Sequence, residues 1–217
     1  MSGSKNVYIF DFDGTLADSV PIFRQIYSEL AIKNKWKSLS DKDYEMLRRG
    51  SLRDARRWSG IRFWQYHILI RGAKRLMELE AEKVELFPGI AEIIENLHSK
   101  GCKLYVLSRN ARSTIARVLE RYGLEDKLEV LSRRKRTFGS KAAVISKLIR
   151  QNGYHKNYVW MVGDEVRDVQ AANKAGVNSL AVAWGIQDIS ILERFDPTRT
   201  ATTVKELKQV LLEIEAN

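Results

Sequence analysis

Apolar positions along this chain follow two rhythms. A short run at 7–10 (Val7, Tyr8, Ile9, Phe10) is apolar throughout and stops at Asp11, and similar runs recur at 103–107, 128–131, 158–162 and 179–183. Runs of this length, apolar at successive positions and bounded by turn residues, predict strands buried on both faces, as in parallel sheets. Between them the spacing changes to three and four. Ile22, Ile26, Leu30 and Trp36 predict a helix over 19–36, with Ser19 as cap and Pro21 in the first turn. Ser40 and Asp43 form an approximate capping box at the head of a helix over 40–49. Trp64, Ile68, Leu69, Leu76 and Leu79 predict one long helix over 61–84. Further helices are expected over 90–100, 114–122, 141–151, 168–174 and 204–214, several of them stopped by glycine (Gly101, Gly123, Gly153, Gly176).

Helices alternating with strands imply right-handed crossovers and an α/β fold, a Rossmann-like parallel sheet with helices on both faces. The stretch 17–84 contains no strand pattern, so it reads as a small all-helical cap inserted after the first strand. The expected division is 1–16 and 85–217 for the α/β core and 17–84 for the cap.

At 217 residues, 44% hydrophobic and 29% charged, the chain has the composition of a soluble globular protein. No stretch reaches the roughly 20 apolar residues that a membrane helix needs, and 63–70 is interrupted by Gln65 and His67. Met1 to Lys5 lack the apolar segment of a secretory signal, and a single cysteine, Cys102, excludes an internal disulfide. A cytoplasmic protein is expected. The net charge of +10 is uneven: residues 17–84 hold 15 Lys/Arg against 9 Asp/Glu, and a second basic run is Arg133-Arg134-Lys135-Arg136. Such patches draw anions or nucleic acid, although a charge run is more often a solvated helix face.

The candidate chemistry sits where the strands end. After the first comes Asp11-Phe12-Asp13-Gly14-Thr15, after the second Ser108-Arg109-Asn110, after the third the loop leading to Lys141, and after the fourth Gly163-Asp164-Glu165 with Asp168 one turn beyond. Open α/β sheets build ligand sites at this carboxyl edge. Alternation along a strand aims Asp11 and Asp13 the same way, and two carboxylates that close call for a cation or a shared proton. Oxygen donors from Asp11, Asp164 and a backbone carbonyl suit a hard cation such as Mg²⁺, and a hydroxyl and an ammonium opposite suit a phosphoryl group.

In this order, these four segments resemble the signature set of the haloacid dehalogenase-like hydrolases, most of which are magnesium-dependent phosphatases. The resemblance covers nearly the whole chain, 17–84 being the least determined part. Gly163-Asp164-Glu165-Val166-Arg167-Asp168 and Val182-Ala183-Trp184-Gly185-Ile186 look like the phosphoglycolate phosphatase branch, and Asp13 argues against the dehalogenases themselves, which lack an acid there. The resemblance implies that Asp11 is the nucleophile, forming an aspartyl-phosphate, and that Asp13 is the acid and then the base. It also implies that Ser108 and Lys141 hold the phosphoryl group, with Gly14, Thr15, Arg109 and Asn110 around it. Mg²⁺ would be bound by Asp11, Asp164 and the Asp13 carbonyl, with Asp168 orienting the set from outside. Two departures stand out: Arg109 separates Ser108 from Asn110, leaving open which of the two reaches phosphate, and Lys141 lacks the usual proline-rich context.

The function expected is hydrolysis of a small phosphorylated metabolite, a phosphate monoester whose second anionic group meets Arg48 and Arg49 of the cap. The alternatives are a phosphomutase of the same superfamily, or a nucleic-acid-binding protein or nucleic-acid-end phosphatase using the basic cap with Trp58, Phe63, Trp64 and Tyr66. Of these aromatic residues, a core role inside the cap is the simpler reading.

Overall fold

Four apolar residues, Val7–Phe10, form β1, and none of them is more than 1% exposed. Their alternation splits them between two cores. Tyr8 and Phe10 face one cluster with Ile94, Leu104, Ile115 and Leu207; Val7 and Ile9 face the other with Tyr105, Ile145, Met161 and Ala172. Such a strand belongs in the middle of a sheet covered on both sides. The structure, a computed structural model, describes residues 5–50, 52–131 and 140–216. The basic run Arg133 to Arg136 lies outside them.

The sheet consists of β1, β2 (Lys103–Val106), β3 (Glu129–Val130), β4 (Val159–Gly163), β5 (Asn178–Val182) and β6 (Arg199–Ala201), in the order β3-β2-β1-β4-β5-β6. Every pairing is parallel, with Phe10 opposite Val106 on one side and Val162 on the other. The order reverses between β1 and β4, so the crevice beyond their carboxyl ends is where such a sheet opens to a ligand. β6 is the strand the sequence does not announce: Arg199 and Thr200 are not apolar, and only Ala201 of the three is buried.

Between β1 and β2 lie α1 (Val20–Asn34), α2 (Asp41–Arg48), α3 (Leu52–Ser59) and α4 (Tyr66–Leu79), followed by α5 (Ile90–Ser99) of the core. α6 (Arg112–Arg121), α7 (Lys141–Asn152), α8 (Val166–Ala175), the single turn α9 (Ile189–Leu192) and α10 (Val204–Ala216) complete the layers. Among the described residues no helix is long and apolar enough to cross a membrane.

The capping box of α2 is present, Ser40 Oγ accepting from the Asp43 N–H at 3.1 Å. The single helix expected over 61–84 is instead α4 between two short 3-10 turns, Phe63–Gln65 and Ala81–Lys83, with α3 before it. Two contacts explain the breaks. Ile61 is drawn into a small core with Tyr27, Ala31, Trp58 and Leu69, and the Arg121 guanidinium takes the carbonyls of Glu82 and Val84. Trp58 belongs to that core, its Nε1 donating to Asp43 Oδ1 at 2.7 Å; Trp64 is 60% exposed beneath the Arg62 guanidinium. The outgoing and returning connections run side by side: Asp18 N–H donates to the Glu85 carbonyl at 2.8 Å and Phe87 N–H to the Leu16 carbonyl at 2.9 Å.

At the opposite end of the sheet, α10 is tied down by one carboxylate. Glu215 Oε1 accepts from Asn6 Nδ2 and from the Tyr8 hydroxyl, both at 2.7 Å, and Oε2 from Cys102 Sγ at 3.2 Å. Burial, reinforced by Glu215, pushes the Cys102 thiol up to about 12, making it an inert core group. Glu215→Ala strips these donors of their acceptor and should lower stability by about 1–3 kcal/mol, seen as a lower urea midpoint. An unchanged midpoint would show that α10 needs no such anchor.

Candidate active site

The carboxyl edge gathers residues from four strand ends. Asp11 continues β1 through its N–H to the Val162 carbonyl (2.8 Å), and Phe12 N–H turns back onto Asp11 Oδ1 (2.8 Å). The chain then turns tightly, the N–H groups of Leu16 and Ala17 both pointing at the Phe12 carbonyl. Asp164 emerges beside it from β4, and one oxygen from each of Asp11, Asp164 and Asp168 lies within 4.8 Å of the others.

Each acid has its own partners. Lys141, the first residue of α7, places its ammonium 2.6 Å from Asp11 Oδ2 and also on Asp168 Oδ1. Burial alone would favour the neutral lysine, but Asp168 and Asp11 outweigh it and hold the ammonium charged. Asp168 Oδ2 accepts from the Glu165 N–H at 3.1 Å. Asp164, fully buried, accepts from the Thr15 hydroxyl at 2.7 Å and from the Ile186 N–H at 2.7 Å. Asp13 accepts from Asn110 Nδ2 at 3.2 Å, and its Oδ2 lies 3.4 Å from the Ser108 hydroxyl.

Burial and crowding raise these carboxyls. Burial first, then the Asp11 charge, pushes Asp13 up to about 6 against the pull of Ser19, Asn110 and Ser108. Asp164 is held well above the usual range by burial and by the charges of Asp11 and Asp168. Asp168 is pushed up to about 7, burial prevailing over Lys141. Among the described residues, four acids thus face one ammonium. The donors are hard oxygens and the deficit is positive charge, so the set fits a divalent cation of the Mg²⁺ type.

The residues named from sequence do not all take the same position. Asp11, Asp13, Ser108, Asn110, Lys141, Asp164 and Asp168 converge. Arg109 does not: its side chain is 58% exposed and reaches toward Glu165 Oε1 at 3.9 Å, while Asn110 turns inward. Gly14 and Thr15 serve Asp164. Gly14 has φ +77°, and a Cβ there would stand 2.3 Å from Asp164 Oδ2. Its N–H is bonded to the Ala17 carbonyl, and the Thr15 hydroxyl is bonded to Asp164. In α2, the Arg48 guanidinium donates to the Ala183 carbonyl at 2.9 Å, and its buried Nε–H has no partner among the described residues. Arg49 is 68% exposed, 3.7 Å from Asp188 Oδ2.

Three contributors are given no role in the site by the sequence reading. Ser19, read as a cap, makes no capping bond, and its hydroxyl pulls the Asp13 carboxyl down against burial. Ile186 acts through its backbone N–H, which leaves no trace in residue type. Gly185 is required because a Cβ there would meet Asp164 Oδ2 and the Gly14 carbonyl, each at 2.3 Å.

Comparison with known proteins agrees with this geometry. Residues 8–182 match the family described as haloacid dehalogenase-like hydrolase. The chain is 34% identical to a phosphoglycolate phosphatase of Synechococcus elongatus, over 95% of this chain and 97% of that one. Two solved structures share the fold: a haloacid dehalogenase-like family hydrolase of Streptococcus pneumoniae (TM-score 0.79, 19% identity, 95% of this chain and 98% of that one) and a predicted phosphatase of Clostridium acetobutylicum (TM-score 0.79, 20% identity, 97% and 100%). The family match begins inside β1 and ends with β5, taking in Asp11, Lys141, Asp164 and Asp168, and the chain belongs to the haloacid dehalogenase-like hydrolases.

Proposed function

We propose that this haloacid dehalogenase-like phosphatase hydrolyses a small phosphate monoester in two steps, with the phosphoryl group carried on Asp11 in between. The observation that carries the reading is the Lys141 ammonium 2.6 Å from Asp11 Oδ2 at the carboxyl edge of β1 and β4, with the Asp13 carboxyl at the same edge beside Ser108 and Asn110. In the first step an Asp11 oxygen attacks phosphorus, the bond to the leaving oxygen breaks, and Asp13 gives that oxygen its proton. In the second, Asp13 takes a proton from water, whose oxygen attacks phosphorus and breaks the bond to Asp11, releasing inorganic phosphate. A carboxyl held near 6 suits both duties close to neutral pH. Lys141 pairs with Asp11 and offsets the phosphoryl charge. Ser108 and Asn110, which now bond Asp13, turn their donors to the phosphoryl oxygens.

Asp11, Asp164 and the Asp13 carbonyl would hold Mg²⁺, with Asp168 orienting Lys141. When bound, the cation supplies positive charge opposite the phosphoryl oxygens. Residues 17–84 act as a cap that excludes water from the crevice. The relative from Synechococcus elongatus and the basic cap together favour a substrate with a second anionic group, such as a carboxylate, met by Arg49 and by the Arg48 Nε–H, which has no partner among the described residues. A small metabolite of the cytoplasm fits this reading.

Asp11→Asn should reduce turnover to background in a folded protein, and Asp13→Asn should lower kcat about 10²–10⁴-fold. Near wild-type phosphatase activity in purified Asp11→Asn would contradict the mechanism. Arg49→Ala should raise KM several-fold for a phosphate ester bearing a carboxylate and leave p-nitrophenyl phosphate nearly unchanged; equal effects on both would remove Arg49 from substrate selection.

Stability should carry the metal's signature. Asp13, Asp164 and Asp168 have folded values above the roughly 4 of an unfolded carboxyl. Their contribution is therefore fully present below about pH 4 and lost as pH rises through the raised values. A bound cation favours the charged forms and opposes that loss. Magnesium should raise Tm more at about pH 8 than at about pH 6, and Asp164→Asn should abolish the difference. An equal rise at both pH values in the wild type would contradict the proposed metal site.

A further inference from the structure

The loop after β5, residues 183–188, touches three parts of the molecule at once. Toward the catalytic edge, Ile186 N–H donates to Asp164 Oδ2 at 2.7 Å. Trp184 Nε1 donates to the Thr15 carbonyl at 3.2 Å, and Thr15 is the residue whose hydroxyl holds the other Asp164 oxygen. Toward the cap, the Ala183 carbonyl accepts from Arg48 Nη2 at 2.9 Å, and Asp188 N–H donates to the Arg48 carbonyl at 3.0 Å. Gln187 bridges sideways: Nε2 reaches the Gly50 carbonyl at 3.4 Å, and Oε1 accepts from Val166 N–H at 2.6 Å, at the start of the helix that carries Asp168.

We infer that Arg48 is a positioning residue that couples cap docking to the Asp164 carboxylate, through loop 183–188. The inference rests on the reading of Asp164 as a metal ligand, and it gives Arg48 a duty in the absence of any substrate.

Two features make the loop a stiff connector. At Gly185 the backbone passes so close to Asp164 and Gly14 that a methyl group would collide with both, so the loop cannot shift without moving the carboxylate. Asp164 is fully buried, and the orientation of its charge depends on its two donors, one in the loop and one steadied by it. Arg48 grips the loop at both ends, side chain on Ala183 and backbone on Asp188, with Glu45 beside the guanidinium at 3.6 Å. By linkage, whatever seats the cap strengthens the metal site, and metal in the site holds the cap down.

The test uses Arg48→Met, which keeps the stem and removes the fork, in two measurements without substrate. In the metal-free protein, hydrogen exchange at the Ile186 and Asp188 amides should accelerate about three- to tenfold. Calorimetric titration with magnesium chloride should show affinity reduced about tenfold, as for the loss of other outer partners of metal ligands. Unchanged Ile186 exchange together with unchanged magnesium affinity would overturn the coupling. A selective rise in KM for two-anion substrates, with both readouts at wild-type values, would leave Arg48 a substrate contact only and would likewise overturn it. Absence of magnesium binding in the wild type would refute the metal reading and with it the metal half of the coupling, and the exchange data would then decide the mechanical half. Arg48→Lys, which cannot reproduce the forked geometry, serves if the methionine variant does not fold.

Discussion

Four carboxylates, Asp11, Asp13, Asp164 and Asp168, share one largely buried space with the ammonium of Lys141. Like charges this close and this dry repel strongly, and much of the local structure is an answer to that repulsion. Backbone N–H groups from Phe12, Glu165 and Ile186 and hydroxyls from Thr15 and Ser108 are aimed at the acids. Glycines at 14 and 185 let backbone approach Asp164 where any side chain would collide. The residual imbalance is what a cation and a phosphoryl group would complete, so the tension in the resting site and its proposed chemistry have one origin.

The sheet makes this crowding possible. Two cores, one on each face, hold β1 immobile, and the reversal of strand order between β1 and β4 sets Asp11 and Asp164 side by side although they are far apart in sequence. The cap is coupled to the same edge rather than merely hinged to the core. Its basic residues are correspondingly varied in use: Arg24 pairs with Asp41 and lies over Tyr44, Lys37 lies over Trp58, and Arg48 grips the loop after β5. What reads in sequence as one cationic stripe is partly the internal fastening of a helical cap.

The parallel sheet was legible because its central strands are continuous apolar runs that end in acids, hydroxyls or glycine, and those endings are also the site. β6 was not legible, since an edge strand with one buried residue has no pattern to display. The break in the expected 61–84 helix depends on tertiary contacts, Ile61 with Tyr27 and Arg121 with the carbonyls of Glu82 and Val84, which local spacing cannot encode. Within the site, the acids, Ser108, Asn110 and Lys141 could be singled out by side-chain type and place at the strand ends, whereas Ser19 reads only as a helix cap. Those that act by backbone, Ile186 and Phe12, could not be singled out in this way. The sequence reading singles out Thr15 and Gly14 for phosphate, and in the structure the Thr15 hydroxyl bonds Asp164 and Gly14 lies against it.

The central claim is that Asp11 carries the phosphoryl group. The most direct measurement is acid quenching of the enzyme within its first turnover on a phosphate ester, followed by peptide mass spectrometry. The account predicts the mass of one phosphoryl group on the peptide that contains Asp11, lost on treatment with hydroxylamine and absent from Asp11→Asn. An unmodified Asp11 peptide during demonstrated turnover, or phosphate on another residue, would contradict it.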